Sequence, residues 1–235
     1  MRHLIRHLFG FFALEYGLLR TIRELALRPG TTIRQYLFTD ERANLSNPVG
    51  LALLTAGITV FLMVKSGSVD TIVNKEFEEV AERSPATSQH DEAPVEASTL
   101  ADTVGPEQLE GLIADYYNIV LLAAIPVLSL FSLLFFKKDK FYYAEHLVIN
   151  TYITGIQNVM YMPIAPFLGK IPELSMAYLG ASMTYQIWVY MSIFSGTRWQ
   201  RLWRSVSAFS LSMVVYSLLI AVIVATVLFF MTANA

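Results

Sequence analysis

The chain has 235 residues, 54% of them hydrophobic and only 15% charged, with a formal net charge of −2 and a mean hydropathy of +0.48. Soluble domains carry about 25% charged residues, so this composition excludes an ordinary cytosolic enzyme and a basic nucleic-acid binder. The absence of cysteine further excludes a disulfide scaffold, a thiolate nucleophile, a cysteine-ligated zinc and an iron–sulfur cluster.

In chain order, residues 1–47 come first. Leu4, Leu8, Phe11, Phe12, Leu18, Leu19, Ile22 and Leu25 fall at steps of three and four with arginines between them, the pattern of an amphipathic helix lying at a membrane interface. Arg2, Arg6 and His7 ahead of an apolar run imitate a signal peptide, but Glu15 interrupts the run and no small-x-small cleavage site follows, so the segment is read as mature. Arg28-Pro29-Gly30 ends this helix, and a short second one is expected from residue 32 to about 39. Five apolar stretches follow, at residues 48–64, 116–136, 144–168, 174–194 and 206–231. Each is long enough for a helix to cross about 30 Å of hydrocarbon. Residues 65–115, between the first two, form an acidic loop whose centre has almost no large apolar residue and reads as disordered. The expected fold class is all-α: a polytopic membrane protein of five transmembrane helices behind an N-terminal amphipathic interfacial helix.

Lysine and arginine near span ends stay on the cytoplasmic side. Seven lie within residues 1–47, Lys137, Lys138 and Lys140 follow the second span, and Arg198, Arg201 and Arg204 precede the fifth. The other side holds only Lys65, Lys75, Arg83 and Lys170. This alternation places the N-terminus in the cytoplasm and the C-terminus outside. The acidic loop carries a net −9 and the cytoplasmic segments together +7, so the near-neutral total conceals a polarised molecule.

The third span is unusually polar. Tyr143, His146, Asn150, Thr154, Gln157, Asn158 and Tyr161 recur at helical steps, which confines them to one arc of about 120°. Amides and imidazoles are costly in hydrocarbon without partners, so this stripe should face other helices or water. Two roles are open: hydrogen bonds that hold helices together, or the lining of a polar pathway or head-group site. Ser175, Tyr178, Ser182, Tyr185 and Gln186 form a milder stripe on the fourth span, a natural partner for the first. Pro163 and Pro166 should unwind or bend the outer end of the third span.

Glu145 and His146 are the one adjacent acid and titratable base. No metal ligand stands one turn away, since Ile149 and Asn150 occupy those positions. His3 and His7 share a helix face but have no third ligand, so no metal and no cofactor is expected. Arg198, Trp199, Arg201, Trp203 and Arg204 compose a belt suited to lipid head groups, by ordinary anchoring or as a specific site. Ala177 with Ala181, and Ala221 with Ala225, permit close helix contacts. The phosphate-loop, nucleophile-elbow and zinc-protease motifs are all missing.

The run Tyr143-Ala144-Glu145-His146-Leu147-Val148, behind the basic Lys137-Lys138-Asp139-Lys140, resembles the signature of an uncharacterised bacterial membrane family, one of the domain-of-unknown-function families. The resemblance extends to Arg28-Pro29-Gly30, to Ile33-Arg34-Gln35-Tyr36-Leu37, and to Arg42 with Asn47-Pro48. Members often carry a cysteine zinc ribbon, which this chain lacks, so no zinc is implied. The N-terminus is more loosely similar to five-span Yip1-like scaffolding and trafficking proteins. Neither resemblance implies a reaction. The expected function is therefore a non-enzymatic accessory or scaffold subunit, with the bilayer, other membrane proteins or a second copy as partners and no nucleic acid. The alternatives are a small transporter or channel using the third span's stripe, and a lipid-modifying enzyme using Glu145 and His146.

Overall fold

The structure, a computed structural model, describes residues 17–39, 45–68, 122–167, 171 and 173–233. Every regular element among them is helical: α1 (Gly17–Leu27), α2 (Pro29–Phe38), α3 (Pro48–Lys65), α4 (Leu122–Phe135), α5 (Tyr143–Tyr161), α6 (Glu173–Ile193) and α7 (Arg198–Ala233), with 3-10 turns at Lys137–Asp139 and Ala165–Phe167. Two of these, α3 and the Arg198–Leu219 part of α7, are long and apolar enough to cross a membrane. Helices α5 and α6 reach 19 and 21 residues and are more polar. The stretch with His3 and His7, nearly all of the acidic loop, residues 116–121 and the side chains of Ala221 and Ala225 lie outside the described residues.

Helix limits follow local chemistry. Asn47 caps α3 by accepting from the Val49 N–H at 2.9 Å, with Pro48 in the first turn where its missing N–H costs nothing. The second short helix starts at Pro29, ahead of the expected residue 32, because a proline that stops one helix is well placed at the first position of the next. Helix α5 ends at Tyr161, short of the expected residue 168. Pro163 has no N–H to continue the ladder, and the chain tightens into i→i+3 bonds, Ile164 N to Tyr161 O and Phe167 N to Ile164 O, both 2.9 Å. Helix α7 begins at Arg198, ahead of the expected residue 206. Its 36 residues make it about 54 Å long, well beyond a hydrocarbon core.

Helix α5 lies at the centre. Residues 151–158 are buried on every face of it, with α3, α6, α1 and α2 packed around it. Gly155 sets the approach of α3, since a Cβ there would stand 3.0 Å from Leu51 Cγ. Gly30 does the same for α2 on α6, where a Cβ would meet Ser192 Cβ at 2.5 Å. The apolar stripe of α1 and α2 is turned into the bundle: Leu18, Leu25 and Ile33 join the core, and Leu19 and Leu27 stay exposed. Tyr185 OH donates to Leu25 O at 3.1 Å, and Tyr152 OH to Ser46 O at 2.7 Å. The described part of the amphipathic segment therefore covers protein as well as offering side chains to its surroundings.

Candidate functional site

The stripe of α5 divides among three neighbours. At one end, His146 and Asn150 are fully buried against α4 and α6. Ser132 Oγ lies 2.8 Å from His146 Nδ1. The Asn150 amide nitrogen points at Ser129 Oγ, Ser132 Oγ and the His146 carbonyl at 3.2, 3.1 and 2.9 Å. Its oxygen accepts from Tyr190 OH at 2.6 Å, and Tyr190 in turn accepts from Gln186 Nε2 at 3.2 Å. Asn150 thus ties α4, α5 and α6 together through one carboxamide. Such interhelical bonds contribute about 0.6–2 kcal/mol each in a membrane.

The imidazole is closed in by aromatic rings, stacked on Phe194 at 5.4 Å and edge-on to Phe141 at 6.0 Å. Phe194 stacks on Phe136 at 4.0 Å behind it. Ser132 has one hydroxyl hydrogen and two acceptors in reach, Ser129 O at 3.0 Å and His146 Nδ1. In either tautomer His146 Nε2 has no partner among the described residues. Glu145 is directed elsewhere: its carboxylate accepts from the Tyr142 N–H at 2.7 Å and caps α5. Glu145 and His146 are neighbours in sequence but do not share a site. The remaining residues of the family-like run frame them, with Tyr143 OH donating to Pro126 O at 3.3 Å, Ala144 exposed, and Leu147 and Val148 half-buried.

At the other end, the stripe meets α3 and α6. Asn158 Nδ2 donates to Thr55 Oγ1 at 3.4 Å, and Thr59 Oγ1 approaches Asn158 O at 3.5 Å. Gln157 Nε2 donates to Ser182 O at 3.2 Å, Tyr178 OH to Gln157 O at 3.4 Å, and the Tyr161 and Tyr178 rings sit 4.6 Å apart. Here the two sequence stripes run alongside a cavity of about 280 Å³ between α4, α5, α6 and α7. Thr154, Gln157, Asn158 and Ser182 form its polar wall, and Leu128 and Met213 face them. No charged side chain is among its described lining residues.

The head-group belt is not one cluster. Trp199 and Trp203 are exposed and meet edge to face at 5.9 Å. Arg198 is exposed and Arg204 half-buried, but Arg201 turns back to donate to Met191 O, as Arg34 does to Ile193 O. Both guanidiniums thereby satisfy carbonyls at the C-terminal end of α6, where the helix dipole favours positive charge. Asp139 Oδ1 accepts from Ser195 N at 2.7 Å just beyond it.

Sequence reasoning missed Ser129, Ser132, Thr55, Thr59 and Tyr190. The signal was present as hydroxyls one helical turn apart inside otherwise apolar runs, and as Tyr190 one turn beyond Gln186. Comparison with protein-family models, with curated proteins and with solved structures finds no match.

Proposed function

We propose that this is a five-span protein of a bacterial inner membrane, N-terminus in the cytoplasm, acting as a non-enzymatic accessory or scaffold subunit that packs against other membrane proteins or a second copy of itself. The observation that carries this reading is the use made of the polar groups. His146, Asn150, Ser129, Ser132 and Tyr190 join helices to one another, and Glu145 caps a helix, so the residues a lipid-modifying enzyme would need are engaged in holding the fold. The outer faces of α6 and α7 meanwhile offer exposed Met176, Leu211, Val214 and Leu218, an apolar surface for lipid or a neighbouring span. Two apolar helices and the distribution of lysine and arginine support the membrane placement.

Purification in mild detergent followed by mass spectrometry tests this. A stoichiometric membrane-protein partner, or a stable homo-oligomer, is the expected result. A strictly monomeric particle overturns the reading. The cavity favours a second one, a small transporter or channel, which solute flux into proteoliposomes containing the chain alone would support. That cavity is lined on α5 from Thr154 onward, and the Tyr190–Asn150 bond lies beyond it, so conduction would require this bond to open.

A further inference from the structure

The cavity carries an inference that goes beyond the scaffold reading and does not depend on it. Its polar wall has unused hydrogen-bonding capacity. Thr154, Gln157, Asn158 and Ser182 are only 6%, 8%, 4% and 6% exposed, yet Thr154 Oγ1, Gln157 Oε1, Asn158 Oδ1 and Ser182 Oγ take no partner among the described residues. None of the four atoms is sealed away, in contrast to His146 Nε2 and Gln186 Oε1. The open space beside all four residues is the cavity.

The orientation of the two amides follows from their bonds. Gln157 Nε2 faces a carbonyl, which only accepts. Asn158 Nδ2 faces Thr55 Oγ1, whose hydrogen goes to Leu51 O at 2.8 Å. One N–H of each amide is thus engaged within the protein, and both amide oxygens are left as acceptors. Thr154 and Ser182 add hydroxyls that accept or donate. A wall of this kind calls for a ligand with several donors, and with no charged side chain among the described lining residues it suits a neutral one. Leu128, Leu179 and Met213 supply an apolar side. At about 280 Å³ the space sits at the small end of ligand pockets.

We propose that this cavity binds an uncharged glycerol unit, its hydroxyls on Thr154, Gln157, Asn158 and Ser182 and its carbon side toward Leu128 and Met213. The unit is either free glycerol or the glycerol of a neutral lipid. Native mass spectrometry and thermal unfolding of the full chain in glycerol-free maltoside detergent test this, with glycerol and 1,2-dioctanoyl-sn-glycerol as probes. The wild type is expected to form a one-to-one adduct and to gain thermal stability as the probe concentration rises. Thr154→Val with Ser182→Ala should weaken binding about tenfold or more by removing two hydroxyl contacts, and Thr184→Ala, exposed on α6, should leave it unchanged. Should the double variant fail to fold, the two single substitutions give the same reading. Binding of glycerol alone assigns an aqueous source, and binding of dioctanoylglycerol alone assigns a lipid. No adduct with either probe, equal binding by the variants, or tighter binding of anionic dioctanoyl-phosphatidylglycerol overturns the proposal. None of these results bears on whether a membrane-protein partner co-purifies in mild detergent.

Discussion

Tyr190 donates its phenolic hydrogen to the Asn150 carboxamide oxygen at 2.6 Å, deep between α5 and α6. The same Asn150 reaches the serines of α4 with its nitrogen, so removing one hydroxyl disturbs three helices. Tyr190→Phe keeps the ring on Phe136 and Phe194 but leaves Asn150 Oδ1 and Gln186 Nε2 without their partners. A buried polar group left unpaired costs about 1–3 kcal/mol. The variant should therefore melt several degrees lower in detergent, at roughly 2–4 °C per kcal/mol for a chain of this size. If its midpoint equals that of the wild type, the network does not hold these helices.

This network also shows where the sequence was legible. Apolar length and helical spacing located α3 and α6, as helices, to within a residue or two at their described ends, because both runs are bounded by polar or turn residues, Asn47 ahead of α3 and Ser195-Gly196 beyond α6. Spacing also placed His146, Asn150 and Gln157 on one arc. It was silent on the destination, since an arc of about 120° on a helix buried on every side touches several neighbours. The result is that His146 and Asn150 meet α4 and α6, whereas Asn158 meets α3. Proline chemistry accounts for the early end of α5, and hydropathy alone missed the start of α7 because Arg198–Arg204 is helical without being apolar.

Glycines separate close approach from open space. A Cβ at Gly30 would stand 2.5 Å from Ser192 Cβ and 3.0 Å from the Ser192 backbone, whereas one at Gly155 would press the movable end of Leu51. Gly30→Ala should therefore destabilise by about 1–3 kcal/mol, and Gly155→Ala by less. Gly180, inside α6 with nothing within 4 Å of such an atom, should gain up to about 1 kcal/mol as alanine from helix propensity. Thermal midpoints of the three variants should rank Gly180→Ala above Gly155→Ala above Gly30→Ala, and any other order contradicts this packing.

Asp139 and Ser195 fix the link between α6 and α7. The carboxylate accepts the Ser195 N–H at 2.7 Å, and no other bond to that amide is seen among the described residues. Asp139→Ala should raise amide exchange at Ser195 by about tenfold, and Asp139→Asn, which keeps an acceptor oxygen, should restore most of the protection. Equal exchange in all three forms would show that Asp139 does not hold this link, leaving the bond from Arg201 of α7 to Met191 O of α6.

Topology is open to a direct check because the chain has no cysteine to interfere. If the proposed topology holds, with the +7 segments in the cytoplasm and the −9 loop outside, Lys138 and Ser88 lie on opposite faces of the membrane. Ser88→Cys should react with an impermeant maleimide in cells whose outer barrier alone has been opened. Lys138→Cys should react only after the inner membrane is disrupted, and so should Arg198→Cys at the start of α7. Labelling of all three from one side would remove the five-span arrangement while leaving the helical packing intact. Labelling of Lys138→Cys and Arg198→Cys from opposite sides would instead mean that α5 and α6 do not form a transmembrane pair, since an even number of crossings must separate positions on one face.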